Sequence, residues 1–545
     1  MERIKKWPRA ELLIFTIITI MNMLPFVATR FFPSMDGASH LSNANIISQL
    51  IFHNNSLFHQ FFMINPEPVP NWTAHLLIAL LTIVMPAFLA EKLMIILLLI
   101  GTPFAFRTLM QTVSPKNTLF SFLIFPFTHS MFFFFGFFNF CMAILFYLIT
   151  FNYWLRHEHE IWKIKKIVTL LLLVTLTYFS HIVIFGTLLL TISFQIITGV
   201  IAGILSGEHE KKMILRQFLN KALAVTLTAI LPILLFVYFF YSRPGIREIT
   251  HHTPKELIND LVTIRPLISL NLGLEGKKTI ILFYLFVVLT GVGVLVFLRN
   301  AFLKIFQKNS VKPEENKKQL PGSNFWWLFI SMSILLVLYF KLPDAYGTAS
   351  YINLRIGFVF FLLTILWLST FRIPWYFGLI AAITGLYVNT MLIRYNAGGI
   401  KEMGKLAVSC NKAADFIAPN SVVLPIYCLN KWFAGHFVDY LAIDKPIVMV
   451  YNYECESGYF PVKWNEKSKP NYYLGNPAIP EKFVNFELTK GNPYLRLDYV
   501  FIMGLCDPAE DRFFIKLNKI LSEDFVRVYS ADSCSLYKNK MVKIQ

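Results

Sequence analysis

The chain is a succession of long apolar runs separated by short segments in which positive charge collects, and this pattern leaves little room for a water-soluble globule. The runs occupy residues 11–31, 74–106, 118–131, 134–154, 167–180, 182–205, 219–242, 277–298, 325–342, 352–370 and 374–393. A bilayer's hydrocarbon core is about 30 Å thick and takes about 20 helical residues to cross. Read that way, the runs are eleven membrane crossings. Composition agrees, since 56% of the 545 residues are hydrophobic and 15% charged, where soluble domains carry roughly 25% charged residues. The same figures exclude disordered, collagen-like and coiled-coil chains.

Charge supplies the orientation. Lys and Arg number 50 against 32 Asp and Glu, a formal excess of +18. The excess sits between the apolar runs, at Arg3, Lys5, Lys6 and Arg9, in 156–166, at Lys211, Lys212, Arg216 and Lys221, and in 299–318. Short basic loops stay in the cytoplasm, and eleven crossings from a cytoplasmic N-terminus put every one of these loops on that side. The excess therefore follows the membrane and is not read as a nucleic-acid patch. Run 11–31 lacks a small-residue cleavage site and reads as an uncleaved anchor. Residues 32–71 then form a first outer loop, in which 40–62 reads as an amphipathic segment resting on the membrane surface. Pro86 and Pro103 interrupt run 74–106, which leaves a re-entrant piece plus one crossing as an open alternative.

Beyond residue 393 the character changes: Asn, Pro, Tyr and charged residues become frequent, and short β-type stretches occur at 421–427, 446–451 and 499–503. The expected fold class is thus an all-α polytopic membrane domain, residues 1–393, followed by a soluble α/β domain, residues 394–545, on the outer face. Five of the six cysteines (Cys410, Cys428, Cys455, Cys506 and Cys534) fall in this second domain, where an oxidising compartment would allow one or two disulfides. No CxxC spacing occurs, which argues against zinc.

Ionisable groups at helix ends on one common face are the candidates for chemistry. The first follows the anchor directly, in Phe31-Phe32-Pro33-Ser34-Met35-Asp36-Gly37-Ala38-Ser39-His40. A helix starting near Gly37 would put Asp36 and His40 on one side, although Asp36 reads equally well as an N-cap. His129, within Thr128-His129-Ser130, and His181, after Tyr178-Phe179-Ser180, fall at the same outer depth, with packing as the alternative for each. Arg243, Arg247, Lys341 and Arg355 add cations. Arg355, one turn inside a helix, calls for an anionic partner or for snorkelling to headgroups.

The anchor, the aspartate opening the first outer loop, the Pro-rich stretch Asn65-Pro66-Glu67-Pro68-Val69-Pro70-Asn71-Trp72 and the soluble C-terminal domain together resemble the GT-C superfamily of membrane glycosyltransferases. The segments 133–153, with Gly136-Phe137-Phe138-Asn139-Phe140, and 178–190 are similar to those of uncharacterised bacterial members. The resemblance implies a polyprenyl-phosphate-linked sugar donor, a lipid or glycan acceptor, and a bacterial inner membrane with the C-terminal domain in the periplasm. It carries the role of general base to Asp36. Many members have paired acids here, whereas Gly37 follows Asp36, so no metal is assigned, a divalent cation stays open, and Glu67 is the candidate second acid. His40 would orient Asp36, while Arg355, with Arg243 or Lys341, would hold the lipid phosphate, and one displacement would invert the anomeric centre. A lipid or glycan transporter or flippase, and a surface-polysaccharide polymerase or ligase of different fold, are the competing classes.

Overall fold

The computed structural model describes residues 2–206, 211–241, 249–306, 323–347, 349–429, 431–466, 497–504 and 512–541. The first 113 residues form helices α1 (Glu2–Val27), α2 (Gly37–Ile51), α3 (Ser56–Phe61), α4 (Thr73–Leu81) and α5 (Ala87–Val113), with strand β1 (Phe62–Ile64) after α3. Among the described residues nine helices are long and apolar enough to cross a membrane: Arg9–Val27, Ala87–Val113, Phe138–His157, Ile182–Leu205, Lys211–Tyr241, Leu272–Arg299, Asn324–Lys341, Ile352–Ser369 and Trp375–Phe416. They answer to nine of the eleven apolar runs.

The other two runs differ for local reasons. Residues 118–131 break into a 3-10 stretch, Thr118–Ile124, and two helical turns, Phe125–Thr128 and Met131–Phe134. Pro126 lacks the amide that would bond back into the 3-10 stretch, and His129 leaves helical geometry after Thr128. Run 167–180 becomes the helix Ile164–Ser180, 17 residues long, closed by an extended His181. Run 74–106 divides at Pro86 into α4 and α5, a proline being unable to continue a helix from the preceding turn.

The chain separates into two compact units, the first being Met1–Leu24, Leu97–Phe133 and Phe140–Asn396. At its centre lies Ile352–Ser369, 83% of whose residues are buried, against 22% for Leu272–Arg299. The outer helices present apolar side chains such as Val288 and Leu295, a surface that suits lipid. A charged pair is enclosed here too: Arg107 Nη1 meets Glu11 Oε1 at 2.8 Å, and the guanidinium lies 4.9 Å from the Phe15 ring centre. Pairing of this kind is what allows ionised groups at such depth.

The second unit is Pro25–Ile96, Phe134–Asn139 and Ala397–Gln545. Its sheet runs in the order Ile447–Met449, Ser421–Tyr427, Tyr499–Met503, Cys534–Asn539, Phe525–Ala531, the first three strands parallel and the last two antiparallel. The expected strands at 421–427 and 499–503 are present, and the one at 446–451 is shorter. Cys428 is disulfide-bonded, Cys141, Cys410, Cys455 and Cys534 are free thiols, and Cys506 lies outside the described residues.

Helix α2 is where the sequence reading and the fold part. An amphipathic helix on a membrane surface would expose one face, yet α2 is buried along nearly its whole length. Its polar side chains explain how. Asn45 Nδ2 donates to the carbonyls of Ala442 and Lys445, both at 2.8 Å, and Asn43 Oδ1 accepts from Asn452 Nδ2 at 2.7 Å. Strand β1 adds a backbone ladder to Val462–Trp464, with Phe62 stacked on Trp464 at 4.8 Å. The polar face of the first-loop helix thus belongs to the C-terminal chain and not to a lipid headgroup layer.

Asn45→Ala strips two buried carbonyls of their donor and should cost about 1–3 kcal/mol, read as a lower melting temperature of the detergent-solubilised full chain. An unchanged midpoint would mean that α2 does not dock on residues 442–445.

Candidate functional site

Asp36 occupies the N-cap position of α2 but makes no side-chain cap hydrogen bond. Its carboxylate is therefore not spent on the helix end, and at 7% exposure it is enclosed. The backbone around it is fixed by the segment before Phe138: Asp36 N donates to Phe135 O at 2.9 Å and Met35 N to Phe134 O at 3.4 Å. Gly136 makes this approach feasible. It has φ +78°, and a Cβ there would fall 2.7 Å from Gly37 N and 2.8 Å from Ser34 Oγ, which only a residue without a side chain tolerates.

Three groups from the C-terminal part of the same unit surround the carboxylate. His436 Nε2 lies 3.6 Å from Asp36 Oδ1, and its ring runs nearly parallel to those of Tyr451 and Tyr453, with centres 5.8 Å and 4.4 Å away. Burial pushes the His436 pKa down to about 4, so the ring is neutral at physiological pH. The Tyr451 hydroxyl is 3.1 Å from Nδ1; with that hydroxyl donating, the ring proton resides on Nε2 and points towards Asp36. The Tyr453 phenol faces Asp36, and burial, followed by the charges of Asp36 and Glu454 and by a side-chain hydrogen bond to Asp36, holds its proton in place. Burial likewise drives Asp439 well above the usual carboxylate range.

One turn along α2, His40 belongs to a second cluster. Its Nδ1 is 2.6 Å from Glu454 Oε1 and 3.0 Å from His75 Nε2, which is itself 2.8 Å from Glu454 Oε2. The three side chains are at most 4% exposed. Burial alone would raise the Glu454 pKa, but the two imidazoles bring it down to about 2. Among the described residues these three are the group of His, Cys, Asp and Glu donors able to hold a metal ion. Glu67 lies elsewhere in the unit, its Oε1 3.7 Å from Lys463 Nζ.

The remaining sequence candidates belong to the first unit. His129 is buried, and its Nδ1 is 3.0 Å from Asn389 Oδ1, while Asn389 Nδ2 donates to Asn22 at 2.8 Å. This chain joins three segments of the first unit. His181 meets the edge of the Phe140 ring at 5.4 Å, and the Arg355 guanidinium lies 5.9 Å from the centre of that ring. Asp344 supplies the acid near Arg355: burial raises its pKa, while the charges of His252 and then Arg355 oppose the rise. Lys341 is exposed at the end of its helix. Arg243 and Arg247 lie outside the described residues.

Sequence reasoning did not find His436, Tyr453, His75 or Glu454. His75 shows only as an imidazole at the start of an apolar helix, and Glu454 as an acid in Asn452-Tyr453-Glu454-Cys455-Glu456; neither position has a spacing that marks it.

No protein-family profile matches the chain, and no curated protein matches it. Among solved structures it is similar to ArnT from Cupriavidus metallidurans in the apo state, at 10% identity and TM-score 0.41, over 97% of this chain and 98% of that one. It is also similar to an Archaeoglobus fulgidus oligosaccharyltransferase in complex with zinc and sulfate, at 13% identity and TM-score 0.43, over 96% of this chain and 73% of that one. Likenesses of this degree assign no residue and no activity, so the reading below rests on the chain's own chemistry.

Two outcomes test this geometry. Gly136→Ala brings left-handed strain of roughly 1–2 kcal/mol and forces the chain off Gly37, so melting temperature should fall; a neutral effect would contradict the close approach. His436 has a folded pKa below its unfolded value of 6.5, so the unfolded chain takes up the proton first. Stability is then complete above about pH 6.5 and drops as pH falls towards 4, by up to about 1.4 kcal/mol per pH unit. His436→Asn should lack that part of the pH dependence when the two unfolding profiles are compared.

Proposed function

We propose that the chain is an integral membrane glycosyltransferase of the GT-C kind, which moves a sugar from a polyprenyl-phosphate donor to an extracytoplasmic lipid or glycan acceptor with inversion, Asp36 acting as general base. The observation that carries this reading is the enclosed Asp36 carboxylate, free of the cap role and flanked by a neutral imidazole and a protonated phenol. A carboxylate so placed can take the proton of an incoming alcohol. His436 would direct its Nε2–H at Oδ1 and hold the carboxylate in one orientation, and Tyr453 would shield it from water.

As the acceptor oxygen bonds to the anomeric carbon, the bond from that carbon to phosphate oxygen breaks, and the electron pair leaves with the polyprenyl phosphate. The departing dianion calls for a cation. The Cys428 disulfide suits an oxidising compartment, which supports placing the C-terminal domain in the periplasm of a bacterium, with the N-terminus in the cytoplasm.

In proteoliposomes supplied with a panel of polyprenyl-phosphate sugars, Asp36→Asn should reduce transfer by about 10²–10⁴-fold while leaving melting temperature near that of the parent chain. Transfer at the parental rate would remove Asp36 from the reaction, and lipid translocation without transfer in the parent chain would favour a flippase.

A further inference from the structure

The cluster of His40, His75 and Glu454 poses a problem that hydrogen bonding does not solve. His40 Nδ1 lies 2.6 Å from Glu454 Oε1 and 3.0 Å from His75 Nε2, which is itself 2.8 Å from Glu454 Oε2, and all of these atoms belong to buried side chains, so each needs a partner. A carboxylate oxygen only accepts, and each ring nitrogen offers either one proton or one lone pair. If both ring nitrogens carry protons, two N–H groups face each other across 3.0 Å. If His75 alone carries one, the His40 lone pair confronts Glu454 Oε1 at 2.6 Å, and that oxygen has no aligned hydrogen-bond donor. If His40 alone carries one, the His75 lone pair confronts Glu454 Oε2 at 2.8 Å. A cation shared by the two nitrogens and the carboxylate removes these conflicts.

We propose that His40, His75 and Glu454 bind a divalent transition-metal ion of the zinc type. Two imidazole nitrogens and one carboxylate oxygen are borderline ligands that suit zinc and not calcium or magnesium, which favour all-oxygen sets. Zinc takes such atoms at about 2.0–2.1 Å in tetrahedral geometry, so the two nitrogens and one carboxylate oxygen would move apart by roughly half an ångström to admit the ion. The outer contacts of His75 serve both states of the ring. Asn139 Nδ2 is 3.1 Å from Nδ1 and suits the ring with its proton on Nε2, while the Asn71 carbonyl, also at 3.1 Å, accepts the proton once it has moved to Nδ1. The second state leaves Nε2 as a lone pair for the metal, the tautomer that a backbone carbonyl commonly fixes in metal-bound histidines. The ion fastens α2 and α4 to the short helix Tyr453–Ser457, and so ties the first outer loop and the helix that follows it to the C-terminal chain. Cysteine spacing gives no hint of such a site.

The test is elemental analysis of the untagged full chain in detergent after equilibration with micromolar zinc and removal of the excess. One zinc per chain is expected in the parent, with loss to background in Glu454→Gln and in His75→Gln, and a chelator should lower the melting temperature of the parent but not of these variants. Should the variants fail to fold, X-ray absorption at the zinc edge of the parent decides, since two imidazoles and an oxygen are expected and a sulfur shell would overturn the site. Absence of stoichiometric zinc in the parent, or its retention in both variants, would also overturn it. Asp36→Asn should keep the ion while losing transfer, so that this site and the proposed reaction fail independently.

Discussion

A helix rich in Asn, Ser and His can be enclosed only where each polar side chain meets a partner, because an unanswered polar group in a protein interior costs several kcal/mol. Helix α2 meets that condition at three of its side chains through the C-terminal chain. Asn45 binds two carbonyls at residues 442 and 445, Asn43 binds Asn452, and His40 binds Glu454. These contacts seat the start of α2, and hence Asp36, among His436, Tyr451 and Tyr453. The carboxylate's surroundings are therefore a consequence of how a polar helix is buried.

The electrostatics follow from the same enclosure. Desolvation keeps His436 neutral and the Tyr453 phenol protonated, so neither of these two groups is a countercharge to Asp36. One helical turn away Glu454 experiences the reverse, since two imidazoles hold it ionised.

Much of the architecture was legible in the sequence because it rests on local periodicity and hydropathy. Nine of the apolar runs became spanning-length helices, and the strands Ser421–Tyr427 and Tyr499–Met503 lie where β-branched and aromatic residues cluster. Asp36 was legible as an acid standing directly after an anchor, and α2 began at Gly37 as expected. The environment of α2 was not, because a polar stripe looks the same whether water, headgroups or protein will cover it. The partners of that stripe are remote: His75 and Glu454 are 379 positions apart. His129 shows the converse, an imidazole that attracts notice in a Phe-rich run and spends itself on an asparagine chain to Asn389 and Asn22.

Docking of the first-loop helix on the C-terminal chain is tested most directly by disulfide trapping in intact membranes with Asn43→Cys and Asn452→Cys together, at the pair joined by a 2.7 Å hydrogen bond. The account predicts rapid cross-linking under mild oxidation and little labelling of either thiol by a membrane-impermeant maleimide beforehand. Two thiols that label freely and do not cross-link would contradict it.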